Sequence, residues 1–477
     1  MKLKTMSVLS ESETLMIHTT SIDILKNTGV KVLSSRVLNM LKEKGLDVSE
    51  EDRIVKFTQT SIEEALASIP DRFDIFARDG SYAFTIGDGT PRIAAGHNAV
   101  FWVDLETGET RPSRVEDVEM FAHLCEYLPD IDMIGIPVMP QDVPIPSTSL
   151  LYGVKATIEN SKKPIFFSTD RTSINQACIG LLKTAFEGDM KTRPYGISQL
   201  SPTSPLFWES STIDALVDSI FQGVPVVILP EPNAGISAPY TLAGLLTVHN
   251  VECLSGIIIT QMLCPGAPVM YGSSWTTTDM RNGAALVGSV ETSLCRIAGA
   301  QIARFYKIPY HTTAPNSDNH TYDEQNGWEK MLSLLCAASS GADLIVNCGM
   351  FATGMTCSYE QLVIDAEMAA IVRRMLAGIT VNEDTIAEET IKEIGPQGGT
   401  YLTAEHTLKW LHSDEHLSTH LSVRGPFSLW KSQGAKNTEK MAKDIVKAIN
   451  TKPVNSVKPN IKEEMEQIII NFIEKGE

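Results

Sequence analysis

The stretch GADLIVNCGMFATGMTCSYEQLVIDAEMA, residues 341–369, decides how the chain is read. Its apolar run Leu344-Ile345-Val346 is too short for a globular helix and suits a buried strand. Asn347-Cys348-Gly349-Met350-Phe351-Ala352-Thr353-Gly354 follows, glycine-rich and uncharged. From Ser358 a helical pattern sets in, with Leu362, Met368, Ala369 and Val372 on its apolar side. Strand, loop and helix in that order make one βα unit. In parallel α/β folds, chemistry sits on the loop beyond the strand's C-terminal end. This loop is therefore a first candidate for the floor of an active site.

The same unit recurs upstream. Apolar runs at 133–138, 164–169, 194–198, 225–230, 268–272 and 309–313 follow helical patterns at 113–127, 147–160, 173–186, 210–222, 239–263 and 282–306; a further helical pattern at 326–339 precedes the opening stretch. With a run around 95–103 taken as the first strand, eight strands are each followed by a helix. Five runs open on a proline (Pro164, Pro194, Pro225, Pro268, Pro309), which suits the first residue of a strand. The runs are continuous rather than alternating, as when both sheet faces are covered. The count predicts an α/β fold, a (β/α)8 TIM barrel. A doubly wound open sheet is the other arrangement, but no Gly-x-Gly-x-x-Gly follows the first strand. Residues 1–72 read as an N-terminal helical cap. Residues 73–380 read as the barrel, led by a β-hairpin region. Residues 381–477 read as a C-terminal helical extension.

The 477 residues carry a net charge of −18, which disfavours nucleic acid and anionic membranes as partners. No run of 18 apolar residues suggests a membrane span. The opening MKLKTMSVLSESE has no signal-peptide core. Eight cysteines without a Cys-x-x-Cys pair fit reduced thiols and a cytoplasmic location.

A barrel reading turns the strand ends into a site. They bring His97 and the residues up to Asp104, Gln141 and Asp142, Thr169-Asp170-Arg171, Gln199, Ser201 and Thr203, Glu231 and Asn233, Ser273-Ser274-Trp275, the segment from Thr313 to His320, and the loop after Asn347. Amides, hydroxyls and aromatics dominate, which suits holding a small polar molecule more than heavy acid–base work. Glu231, fixed between Pro230 and Pro232, is a candidate base, structural cap or counter-charge for a cation. Trp275 and Phe351 beside it would form an aromatic cage for a quaternary ammonium, which has no N–H to donate. No metal site is expected: His311, His320 and Cys348 lack close ligand spacing, and His406, His412, His416 and His420 lie in the extension. Asp318-Asn319-His320 begins like a corrinoid-domain signature, but Asp323 stands where glycine is required.

The run Gly349-Met350-Phe351-Ala352-Thr353-Gly354-Met355-Thr356, then Ser358-Tyr359-Glu360-Gln361-Leu362-Val363-Ile364-Asp365, resembles the trimethylamine methyltransferase superfamily. Gly398-Gly399-Thr400-Tyr401-Leu402, His406-Thr407, Trp430 and Gly434 are similar to its C-terminal signature. In founding members the first motif contains pyrrolysine; this chain has ordinary residues at or next to Thr353. The resemblance therefore implies the non-pyrrolysine branch, which demethylates quaternary amines such as glycine betaine, proline betaine or carnitine. The methyl group passes to the corrinoid (cobalamin) of a separate protein, so no tightly bound cofactor is expected. Glu231 and His311 are then the expected catalytic residues. His97, Gln199, Trp275, Asn316, Asn347, Gly349 and Phe351 are the expected substrate-binding ones, and the chain is expected to form a homo-oligomer, a dimer. A zinc-dependent barrel methyltransferase or aldolase, and a betaine-binding protein without turnover, are the rival readings.

Overall fold

The computed structural model describes residues 5–169 and 171–476. Eight parallel strands form the barrel: β1 (Arg92–Ala95), β2 (Ile134–Gly135), β3 (Ile165–Ser168), β4 (Gly196–Leu200), β5 (Val226–Ile228), β6 (Val269–Ser273), β7 (Tyr310–Thr313) and β8 (Leu344–Cys348). They pair in order from β2 round to β8 and on to β1. The ring closes between β1 and β2, where Ala94 bridges Met133 and the Ala95 N–H donates to the Met133 carbonyl at 3.0 Å. This closure excludes the open doubly wound sheet.

Each strand leads to a helix: α1 (Val115–Tyr127), α2 (Ser149–Asn160), α3 (Thr172–Ala185), α4 (Ser210–Phe221), α5 (Leu242–Leu263), α6 (Val290–Tyr306), α7 (Glu324–Ser339) and α8 (Tyr359–Ala377). Four of the five prolines lend a carbonyl to a neighbouring strand just ahead of the strand proper: Pro164 accepts from Ile134, Pro225 from Ser198, Pro268 from Val226 and Pro309 from Tyr271. Their missing N–H falls at the entrance, where the ladder has not begun. Helix α5 is long and apolar enough to cross a membrane by length and composition, yet 72% of its most apolar window is buried inside the protein. All eight cysteines are free thiols.

The lower end of the barrel is plugged. The hairpin Phe73–Phe76 and Tyr82–Ile86 sends Phe73, Ile75, Phe84 and Ile86 against the inward residues Ala94, Phe166, Ile197, Val227, Met270, Leu344 and Val346. On the outside, the helix Glu11–Asn27 packs on α5. Residues 30–56, expected to be helix and turn, also contain three short strands, which join Phe207–Trp208 in a small sheet. The β-branched Val30, Val32 and Val55 are buried there. Thr438–Asn450 packs on α1 and α8, and Pro459–Glu474 on α2 and α3.

The first barrel strand lies earlier than expected. Arg92–Ala95 forms β1, while Phe101–Val103 belongs to a separate sheet with Thr110–Pro112, Met350–Phe351 and Thr356–Cys357. Gly96 explains the break, since a Cβ there would lie 2.3 Å from the Met350 sulfur. The glycine-rich loop after β8 is likewise a hairpin. Its turn uses three left-handed residues, Ala352 (φ 52°), Thr353 (φ 56°) and Gly354 (φ 78°). This turn is costly for the two non-glycine residues.

Candidate active site

A cavity of about 940 Å³ opens at the C-terminal end of the barrel. Its walls come from every strand end. They include His97 after β1, Ser168 on β3, Gln199 and Ser201 at the end of β4, Glu231 and Asn233 after β5, Ser274 and Thr276 after β6, Thr313 and Asn316 at β7, and Asn347, Met350 and Thr353 at β8. Met139, Pro146, Ser147, Ala285, Gly354 and Met355 also line it. Position on this face is what a parallel barrel dictates for a site.

The cavity floor is polar and incompletely paired. His97 lines it, with its ring edge toward Phe166 at 5.1 Å between centroids. His311 stacks flat on the other side of that contact, 5.3 Å from Phe166 and 6° from parallel. Burial lowers the His97 imidazole to about 4, against a hydrogen bond with Gln199 that raises it. Burial also lowers His311 to about 3. Both rings are therefore neutral at physiological pH. Neither ring nitrogen of His311 has a hydrogen-bond partner, nor do His97 Nδ1, Asn98 Oδ1 and Gln199 Oε1. Buried polar atoms seldom stay unpaired, so the lining atoms His97 Nδ1, Asn98 Oδ1 and Gln199 Oε1 are placed to meet a polar group. His311 itself lies outside the cavity lining and is fully buried.

Asn347 reaches the cavity through a defect in β8. Its φ is 141° and the register of β8 against β1 shifts across it. A bulge re-aims a side chain in this way. The Asn347 amide nitrogen donates to Asn316 Oδ1 at 2.8 Å, and Asn316 Nδ2 donates to the Thr313 carbonyl at 3.2 Å. Thr353 donates its hydroxyl to Asp318 at 3.1 Å. Asp318, the start of the near-match to a corrinoid signature, also accepts from the N–H groups of Val287 and Gly288. It is thus a fastener between two strand-end loops.

Glu231 faces the cavity, where solvent reaches it. Protein atoms wall it closely, and this burial pushes its carboxyl above the usual carboxylate value, with a Ser274 hydroxyl opposing the shift. No ion pair neutralises it among the described residues. Arg171, at the start of α3, also lines the cavity and was not among the expected binding residues. Asp170, named beside it at the same strand end, lies outside the described residues.

Three expected substrate contacts are turned away. Trp275 is 2% exposed; its indole packs 4.4 Å from the His249 ring on α5 and against Gly299 on α6, where a Cβ would sit 2.3 Å from it. Phe351 is 2% exposed and packs with Val103, Ala352 and Tyr322. The Gly349 N–H is committed to Asp365 Oδ2 at 2.7 Å. An aromatic cage of Trp275 and Phe351 is therefore not present. Trp275→Ala and Phe351→Ala should each cost roughly 3–5 kcal/mol of stability, as large buried rings do. The KM of the folded enzyme should change less than it does for substitutions of the lining residues Glu231 and Ser274, because the rings themselves touch no substrate. Urea unfolding together with steady-state kinetics checks both; a large KM change at unchanged stability would return the rings to the site.

The comparisons with known proteins agree with this architecture. Residues 1–476 match the family model described as trimethylamine methyltransferase (MTTB). The chain belongs to that family. It is 31% identical to trimethylamine methyltransferase MttB of Methanosarcina thermophila over 470 residues, covering 94% of this chain and 95% of the relative. It is 30% identical to a glycine betaine methyltransferase of Desulfitobacterium hafniense over 433 residues, covering 90% and 89%. The crystal structure of the Methanosarcina barkeri monomethylamine methyltransferase MtmB superposes with a TM-score of 0.51 at 15% identity over 99% of this chain and 95% of that one, which concerns the fold. The protein is an enzyme, a methyltransferase of the methylamine and betaine class.

Among the described residues no three His, Cys, Asp or Glu side chains converge as a metal-ligand set.

Proposed function

We propose that this methyltransferase removes a methyl group from a quaternary amine, glycine betaine or proline betaine foremost and carnitine or another betaine next, and passes it to the corrinoid of a cognate protein. The observation that carries this reading is Glu231: a carboxylate on the cavity wall with no protein cation beside it among the described residues. A fixed positive charge without N–H groups is satisfied there by Coulomb attraction alone. The sulfurs of Met350 and Met139 and the oxygens of Ser274, Thr313 and Asn233 offer soft and polar surface to N-methyl groups. Ordinary residues at Ala352 and Thr353 support a substrate that needs no activation.

A quaternary ammonium is already activated. When its C–N bond breaks, the electron pair stays on nitrogen and a neutral tertiary amine leaves, so no general acid is required. The corrinoid supplies a Co(I) nucleophile strong enough to accept the methyl group. The residues of this chain position the amine and exclude competing geometries. Pro146, Ser147, Ala285, Gly354 and Met355 in the lining carry no charge. The cavity stands near the upper end of the volume range for drug-sized ligands. Both features suit a flat macrocycle approaching over a small substrate.

A dimer fits the extension. Glu383–Ile386, Glu388–Ile394, Glu405–Trp410 and Phe427–Ser432 contain no buried residue, while Val381, Leu402 and Phe427 are exposed. So much exposed apolar surface suits a protein interface. A cytoplasmic location suits the eight free thiols.

The test is a panel of methylated amines with free cob(I)alamin, followed by the appearance of methylcobalamin. Glycine betaine or proline betaine should react and trimethylamine should not. Methylation from trimethylamine alone would overturn the reading, and binding without conversion would support a sensor.

A further inference from the structure

Among the described residues the cavity lining holds two formal charges, Glu231 and Arg171, and every other described lining residue is neutral. Neither has a protein counter-ion among the described residues. An unpaired arginine on an open surface is ordinary, but this one stands in an unusual place. It occupies the N-cap position of the 14-residue helix α3 and makes no side-chain capping bond. The positive end of a helix dipole disfavours a cation there. Ile174, just inside the same helix, also lines the cavity, so the helix begins at the cavity wall. A cation kept at that point gains only if an anion joins it.

Several amides around the cavity are already committed. Asn316 donates to Thr313 and accepts from Asn347. Gln199 Nε2 stretches toward Ser168 at 3.4 Å and Ser201 at 3.5 Å. Gly349 serves Asp365. Among the described residues the guanidinium of Arg171 makes no hydrogen bond and is the cationic donor of the lining, and its fork matches a carboxylate in two parallel hydrogen bonds.

Arg171 follows β3 and Glu231 follows β5, with β4 between them. Adjacent strands lie about 4.8 Å apart, so the two strand ends stand roughly 10 Å apart along the wall. Both long side chains enter the same cavity from these strand ends, so a small zwitterion lying between them meets an opposite charge at each end. We propose that Arg171 is the carboxylate-recognising residue, and that the cavity selects zwitterionic quaternary-ammonium carboxylates over simple quaternary cations. This rests on the quaternary-amine reading above and adds what that reading leaves open, the part of the substrate that is not transferred.

The experiment uses the full chain and compares wild type with Arg171→Gln and Arg171→Lys. Binding of glycine betaine, proline betaine and choline is measured by calorimetry, and turnover with free cob(I)alamin is measured separately. Arg171→Gln should weaken betaine binding about 10- to 100-fold, the range for hydrogen bonds to a charged group. The saturating rate should change little, and choline binding should hold or improve as a repelling cation is lost. Arg171→Lys should recover part of the betaine affinity, because charge returns without the fork. Melting temperatures should match wild type, since the side chain is exposed. Betaine affinity within twofold of wild type in Arg171→Gln, or no wild-type preference for betaines over choline, would overturn the proposal. Wild type that binds betaine but methylates nothing would sink the catalytic reading alone, while the Arg171 contrast in binding would still decide this one.

Discussion

Replacing Asp365 with alanine should cost this enzyme about 3–5 kcal/mol of stability, the range for a buried ion pair broken on one side. Lys330 and Asp365 are both fully buried, with Nζ to Oδ2 at 2.8 Å. Asp365 also accepts from the Gly349 N–H at 2.7 Å and from Gln361 Nε2 at 2.8 Å. Every neighbour is a donor, so the carboxylate form fits and a protonated acid does not. Burial pushes its carboxyl upward, and the Lys330 ammonium opposes that shift. Without Asp365 the ammonium keeps the Pro315 carbonyl at 3.2 Å and no counter-charge. Marginally stable domains have roughly 5–15 kcal/mol in total, so the variant should accumulate poorly and unfold at much lower urea. The double variant Lys330→Met with Asp365→Leu should regain most of the loss, since an apolar pair of similar volume replaces a buried ion pair at little cost. It should not regain activity. Gly349 would still lack its acceptor, and Gly349 begins the hairpin that carries Met350, Thr353 and Met355 to the cavity. A double variant as active as wild type would show that the pair only stabilises.

The barrel was legible because its strands are buried on both faces and so appear as unbroken apolar runs. The one misplaced strand shows the limit. Arg92–Ala95 opens on a charge and is short, while the richer run at 99–103 closes a sheet above the barrel instead. Strand-end position drew attention to Gln199, Glu231 and Asn347, which line the cavity, and equally to Trp275 and Phe351, which do not. The missing ingredient was alternation. Side chains along an extended chain point to opposite faces. Gln199 and Ser201 face the cavity across Leu200, Glu231 and Asn233 across Pro232, and Ser274 and Thr276 across Trp275. Met350 faces in, so Phe351 faces out. Counting by twos from the apolar strand residues would have removed both aromatics. Asn347 escapes that count because the bulge resets it, and no residue type announces a bulge. Arg171 was visible at its strand end, but its freedom from partners is a property of the folded chain.

Glu231→Gln should weaken quaternary-amine binding about 5- to 30-fold, corresponding to some 1–2 kcal/mol for a solvent-reached charge that the substrate covers, while kcat holds or rises. The direction follows from where charge moves. The bound substrate carries a full positive charge on nitrogen, and in the transition state the departing methyl group draws that charge away. A carboxylate therefore stabilises the ground state more than the transition state, and its contribution falls on KM. A general base would give the opposite pattern, with kcat falling and KM held. Acid titration offers a second reading. The free Glu231 carboxyl is raised above the usual carboxylate value by burial, so its anionic form is lost as pH falls through that raised value. The kcat/KM profile should show an acid limb above about 4.3, the ordinary glutamate value. The kcat profile should lack it, because a bound cation holds the carboxylate ionised. Glu231→Gln should erase the limb and leave the alkaline side untouched. If the limb survives the substitution, another group sets it. A fall in kcat at constant KM would assign Glu231 to the chemical step rather than to holding the cation.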